Sequence, residues 1–247
     1  MTPTMKDIER GAESIARTHL AVLIVGEQGT GKERLARLIH RMSSRSDLPL
    51  HTFDCAASPP DNIETDIFGV ASLSWSGITI RRGAIEEATA ATLLLDEFQA
   101  VPLALQTKVA RALEYGSLVR CGGTSQIPVS ARIIMTLTVP YWKVSREALR
   151  DDVQHRIGPI VLELPPLRER RAEIPGLVMD FLDHQRLAKG VDIEGISDEA
   201  LRMCCEFDWP GNVRQLKNAI EYASLMCSGV VIEPSHLPEY VAKLTFK

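Results

Sequence analysis

Residues 20–37, LAVLIVGEQGTGKERLAR, form an apolar run that breaks into a glycine-rich turn and then resumes with helical spacing. The run at residues 20–25 suits a strand buried on both faces. Gly26, Gly29 and Gly31 permit the tight turn and close backbone approach that a phosphate needs, while Leu35, Leu38 and Ile39 recur on one helix face. Lys32 then falls at a helix N-terminus, where free N–H groups and the positive end of the helix dipole favour a polyphosphate and the ammonium reaches its outer phosphates. The stretch reads as a P-loop with one departure from G-x-x-x-x-G-K-[ST]: Glu33 stands where a hydroxyl would meet Mg²⁺.

Residues 91–98, ATLLLDEF, are a further apolar strand ending in two adjacent carboxylates. Phosphoryl transfer depends on positioning and charge stabilisation, so Asp96 is placed to hold Mg²⁺ through its water shell and Glu97 to orient and polarise the attacking water. An Asp-Glu pair at a strand end is a weak signal alone, but downstream of a P-loop it is the Walker B pattern. Between the two lies a short strand at residues 50–54, which puts Asp54 at the carboxyl end where ligands bind in open parallel sheets. Before them, residues 6–17 carry Ile8, Ile15 and Ala16 among charges, the pattern of an amphipathic helix flanking the nucleotide pocket.

Residues 67–82, IFGVASLSWSGITIRR, have neither helical nor strand periodicity and read as an exposed loop, with Trp75 either a packing anchor or a contact residue. A helix over 102–113, a strand over 132–138, a helix over 146–157 and a strand over 160–164 follow. Alternating strands and helices predict a doubly wound α/β domain with a largely parallel sheet. Beyond Leu167 strand signals disappear, and helices are expected at 173–187, 197–206, 212–226 and 235–243, with Ser197 and Asn212 as N-caps. The expected organisation is an α/β nucleotide-binding domain over 1–167 and a small α-helical lid domain over 168–247.

The 247 residues can bury a substantial core, and 45% hydrophobic with 24% charged residues is ordinary for a soluble globular protein. A net charge of −4 gives no global signature of nucleic-acid binding. The five cysteines lack C-x-x-C spacing and the six histidines lack ligand spacing, which argues against a disulfide framework and a zinc hydrolase. With no run of membrane-span length and no apolar signal core at the start, a cytoplasmic location is expected and no membrane partner.

With these residues placed, the chain resembles, over essentially its whole length, the AAA+ domain of bacterial enhancer-binding proteins, the ATPases that activate sigma-54 RNA polymerase. GEQGTGKE (Gly26, Glu27, Gln28, Gly29, Thr30, Gly31, Lys32, Glu33) resembles that family's P-loop, which itself carries Glu after the Lys. LLLDEF at 93–98 resembles its Walker B, LPPLRER at 164–170 its interdomain signature, and WPGNVRQLKNAIE at 209–221 its lid motif. The resemblance implies ATP and Mg²⁺ as cofactors and makes Arg214 sensor II. LRDDVQHRI at 149–157 looks like the arginine-finger helix, so Arg150 and Arg156 become the candidates to reach a neighbour's γ-phosphate. A finger acting in trans implies a ring, a hexamer by family pattern, with RNA polymerase holoenzyme or its sigma factor as the further partner.

Three positions depart from the family pattern. LSWSGI at 73–78 stands where the family has GAFTGA, its sigma-contacting loop, and predicts weak or absent sigma-54 remodelling. Asp54 stands where an Asn holds the Walker B Glu, placing a second carboxylate near Glu97. Thr138, preceded by Leu137, stands where sensor I has Thr-Asn, and slow turnover is expected. No receiver domain before Met1 and no helix-turn-helix after Lys247 are read, so DNA contact is expected only through a domain outside this chain. Two functions remain: a mechanochemical ATPase of a transcription regulator, or a nucleotide-gated assembly module with slow or no hydrolysis that regulates transcription without remodelling sigma-54.

Overall fold

Strands buried on both faces need continuous apolar runs, and three of them here, VLIVG, TLLLD and RIIMTL, supply the centre of a parallel sheet. The computed structural model describes residues 5–74, 77–138, 153, 160–189 and 193–242. The chain folds as two units, Met5–Gly26 with Lys32–Leu164, and Glu27–Gly31 with Pro165–Lys247.

In the first unit the order is α1 (Met5–Ala16), β1 (Val22–Gly26), α2 (Lys32–Arg41), β2 (Leu50–Asp54), α3 (Ile63–Phe68), β3 (Val70–Ser74), β4 (Gly77–Arg81) and α4 (Ala84–Glu87). It continues through β5 (Thr92–Asp96), α5 (Leu103–Tyr115), β6 (Ser117–Val119), β7 (Gln126–Pro128), β8 (Arg132–Leu137) and β9 (Ile160–Leu164). The main sheet runs β2-β5-β8-β1-β9, and all its pairs are parallel. Alternation sorts its side chains onto two faces. Leu23, Val25, Leu93, Leu95, Ile133 and Met135 pack with Ile63, Phe68, Ile85 and Val109, and buried Val153 joins that core. Val22, Ile24, Leu94 and Ile134 pack on the other face with Ile8, Ala12, Leu35 and Ile39 of α1 and α2.

Because β1 lies between β8 and β9 while β2 is at the edge, the chain leaves β1, crosses to the edge and returns. Parallel pairing then brings the carboxyl ends of β1, β2, β5 and β8 to one edge, with Asp54 directly beside Asp96 in register. Arg132, 2% exposed at the opposite end of β8, donates to the carbonyls of Ala16 (2.8 Å) and Ile15 (2.9 Å). A cation is thereby fastened to the negative end of α1.

The expected loop at 67–82 is instead a β-hairpin, with β3 and β4 antiparallel from Val70↔Arg81 to Ser74↔Gly77. Its exposed Thr79, Ile80 and Arg81 show why alternation failed as a signal. The hairpin root is closed by Gly69 at φ 78° and Gly83, where a Cβ on Gly83 would stand 2.3 Å from the Gly69 nitrogen. Residues 75–76, with Trp75, lie outside the described residues, as does the helix expected at 146–157 apart from Val153. The small hairpin β6–β7 was also without a sequence signal.

The second unit holds α6 (Ile174–Lys189), β10 (Gly195–Ile196), α7 (Asp198–Glu206), α8 (Asn212–Met226), β11 (Val231–Ile232) and α9 (Glu239–Ala242). Contrary to the expectation of helices alone, β10 and β11 pair in parallel; two residues each are too few to form a hydrophobic pattern. The helix expected over 235–243 reduces to a 3₁₀ turn at Pro234–His236 and the short α9. Ser197 caps α7 as expected, its Oγ accepting from Ala200 N at 3.4 Å. Asn212 does not cap α8: Gly211 holds that position, and Asn212 is the first helical residue at φ 51°. The core forms around Trp209, fully buried, whose Nε1 donates to the Cys204 carbonyl at 2.7 Å and whose ring meets Phe207 edge-on at 4.9 Å.

Candidate functional site

Lys32 opens α2 directly after the glycine turn, yet its side chain is only 6% exposed. A buried ammonium needs acceptors, and it finds the Gly26 carbonyl at 3.2 Å, the Thr138 hydroxyl at 2.7 Å and a carboxylate oxygen of Glu97 at 3.7 Å. The Thr138 hydroxyl in turn donates to Glu97 Oε1, while Gln99 Nε2 donates to Glu97 Oε2. Glu97 follows β5 in the left-handed region, φ 53° and ψ 46°, a conformation that costs a non-glycine residue about 1–2 kcal/mol. The Thr136 hydroxyl accepts from Glu97 N at 2.9 Å and donates to Asp96 Oδ1. One strand, β8, therefore positions both carboxylates at the end of β5, through Thr136 at its last turn of alternation and through Thr138 just beyond it.

Asp54 joins this edge but not as expected. Its Oδ1 accepts from Ala56 N at 2.9 Å and Ala57 N at 3.2 Å, whereas the side-chain partners of Glu97 are Lys32, Thr138 and Gln99. An Asp is a good turn former because it bonds its own downstream backbone, and here that preference prevails. Asp54, Asp96 and Glu97 nevertheless share one neighbourhood: the Cys55 thiol is pushed far above the usual thiol range, chiefly by burial and then by these carboxylates in that order.

The turn residues Glu27–Gly31 are held by the second unit, to which they belong. Glu27 takes a bidentate pair from Arg168 at 2.6 and 2.8 Å, and Asn212 Nδ2 donates to Glu27 Oε2 at 3.2 Å and to the Gln28 carbonyl at 2.9 Å. The Thr30 hydroxyl donates to the Glu27 carbonyl at 2.8 Å, and Arg170, 9% exposed, donates to the Thr30 carbonyl at 2.7 Å. Gly29 sits at φ 79° with its Cβ direction 2.3 Å from the Gly211 carbonyl oxygen, so no side chain fits there. Arg214 N donates to the Gly29 carbonyl at 3.3 Å, which puts the sensor II candidate in the first turn of α8 beside the glycine turn, with its side chain exposed. Gly31 lies at φ 105°.

Glu33, the departure from the general motif, is exposed and turned to Arg37 at 2.5 Å one helical turn on. Arg150 and Arg156 lie outside the described residues. Sequence reasoning had missed Thr136, Gln99, Arg168, Arg170 and Asn212 as working parts. Thr136 was accessible from period-two alternation with Thr138, whereas no local signal tied Asn212 or Arg170 to a turn far away in the chain.

A lysine in the first turn of the helix after a glycine turn, and an Asp-Glu pair at the carboxyl edge of this parallel sheet, define a P-loop AAA+ fold, here followed by a helical lid. Family comparison agrees: residues 1–163 match the Sigma-54 interaction domain and residues 168–246 the AAA+ ATPase lid domain. The chain belongs to the sigma-54 interaction family, the AAA+ domain of bacterial sigma-54-dependent transcriptional regulators. It is 41% identical over 229 residues to the DNA-binding transcriptional activator HyfR of Escherichia coli K12, covering 91% of this chain and 34% of that protein. It is 37% identical over 239 residues to the transcriptional activator RocR of Bacillus subtilis, covering 96% of this chain and 52% of that protein. NtrX of Brucella abortus, solved in complex with ATP, superposes with a TM-score of 0.85 at 29% identity, covering 98% of this chain and 56% of that one. The chain thus spans about a third to a half of the length of these curated relatives. Among the described residues no helix is long and apolar enough to cross a membrane.

Proposed function

We propose that this chain binds ATP with Mg²⁺ and hydrolyses it as the AAA+ module of a sigma-54 activator, assembling into a ring in which neighbouring subunits share ATP sites. The observation that carries the reading is the Lys32–Thr138–Glu97 constellation beside the Thr136–Asp96 pair. In this reading residues 1–167 are the nucleotide-binding domain and 168–247 the lid, in a cytoplasmic protein whose further partner is sigma-54 RNA polymerase.

The turn from Gly26 to Gly31 presents backbone N–H groups to the phosphates, and the Lys32 ammonium exchanges protein acceptors for phosphate oxygens. Magnesium suits the donor set: it is commonly held by one or two carboxylates plus substrate phosphates, and Asp96 supplies the carboxylate in an edge already rich in negative charge. When bound, the ion neutralises charge developing on the phosphates. Glu97 orients and polarises the attacking water, Thr138 fixes the Glu97 carboxylate, and Thr136 fixes Asp96. Arg214, beside the glycine turn, and Arg150 and Arg156, by family pattern from a neighbouring subunit, stabilise the transferring phosphoryl group, a contribution of about 10³–10⁵ in rate for an arginine finger.

Calorimetric titration with ATP tests the site directly. Lys32→Ala should abolish binding, whereas Glu97→Gln should retain it and lose most hydrolysis, because an amide polarises water poorly. Unchanged ATP affinity in Lys32→Ala would refute the assignment.

A further inference from the structure

Glu97 is held by three side chains at once. Its Oε1 accepts the Thr138 hydroxyl and faces the Lys32 ammonium, and its Oε2 accepts the Gln99 amide. The other end of the same Gln99 side chain accepts from Thr138 N at 3.3 Å, so the amide spans from the end of β8 to the carboxylate with both ends used. Local structure aims it there: the left-handed Glu97 starts a 3₁₀ turn over Phe98–Ala100, closed by Ala100 N donating to the Glu97 carbonyl at 2.9 Å, and this folds Gln99 back over Glu97.

The three restraints respond differently to nucleotide. A polyphosphate competes for the Lys32 ammonium by charge and draws it from Glu97 and Thr138. Gln99 is neutral and has no such competitor, and to swing away it must give up two hydrogen bonds at once. We propose that Gln99 is a positioning residue that clasps Glu97 and restrains hydrolysis, so that loading ATP and activating water are separate events in this chain. The inference rests on the ATPase reading above and adds a regulatory element to that site.

The full chain carries the test, with Gln99→Ala, which deletes the clasp, and Gln99→Glu, which keeps the acceptor toward Thr138 N but sets a like charge against Glu97. Both should raise kcat by about three- to tenfold, up to roughly 1.4 kcal/mol in barrier, with KM and the ATP Kd from calorimetry essentially unchanged in the neutral variant Gln99→Ala. In a Glu97→Asp background, where the shortened carboxylate no longer reaches Gln99, neither change should raise kcat further. Equal or lower kcat in both variants, with ATP binding intact, would overturn the clasp while leaving the nucleotide site standing. A gain that persists with Glu97→Asp, or that in Gln99→Ala comes with a parallel rise in KM, would mark general loosening and overturn it as well. Absence of ATP binding by the unmodified chain would overturn both the clasp and the reading beneath it.

Discussion

Asn212→Ala should be among the most damaging single substitutions in the lid unit, although the residue lies on the first turn of a helix where truncation is usually mild. Asn212 is fully buried at φ 51°. Its Oδ1 accepts the buried Leu167 N at 2.8 Å, and its Nδ2 donates to the Gln28 carbonyl at 2.9 Å and to Glu27 at 3.2 Å. Alanine leaves the Leu167 amide buried without a partner, about 1–3 kcal/mol, and strips the partly accessible Gln28 carbonyl of a donor, about 0.5–1 kcal/mol. Asn tolerates the left-handed region and Ala does not, which adds about 1 kcal/mol. Glu27 keeps its Arg168 pair and contributes little. The sum is about 2.5–5 kcal/mol, to be read from urea unfolding followed by Trp fluorescence, since Trp209 lies three residues away and is buried in the core of this unit. ATP affinity should fall too, because the glycine turn loses its anchor. Asn212→Asp, which keeps the Oδ1 acceptor but sets a buried carboxylate oxygen against Glu27 and the Gln28 carbonyl in place of the amide donor, should be strongly destabilising too. A loss under about 1 kcal/mol for Asn212→Ala, or an Asn212→Asp chain as stable as the unmodified one, would refute the claim that this side chain fastens Leu167 and the turn together.

Further outcomes are expected. Inactive Arg156→Ala mixed with inactive Lys32→Ala should recover part of the ATPase rate, since one subunit supplies the finger and its neighbour the pocket; no recovery at concentrations where mixed rings form would count against shared sites. Weak or absent sigma-54 binding is expected with an ATP transition-state analogue, because Leu73 and Ile78 pair within the β3–β4 hairpin where the family pattern has Gly and Ala. A chain carrying GAFTGA at residues 73–78 should gain that binding, and stable binding by the unmodified chain would sink the idea.

What the sequence determined by itself was whatever a local pattern can encode. β1, β5 and β8 are legible because burial on both faces leaves an unbroken apolar run, and Lys32, Asp96 and Glu97 because each follows such a run at a strand's carboxyl end or the first turn of a helix. The helix starting at Asn212 was legible from its apolar spacing, but the task of its first side chain was not. The hairpin β6–β7 and the pair β10–β11 have strands of only three and two residues, too few to leave a periodic trace, and β4 of the β3–β4 hairpin carries the consecutive exposed residues Thr79, Ile80 and Arg81. Only the tertiary structure decided which strand stands beside which, and so that Asp54 would bond its own turn while Gln99, Thr138 and Lys32 converge on Glu97. The physical reason is that a hydrogen bond between side chains distant in sequence depends on sheet order and register, which no window of neighbouring residues contains.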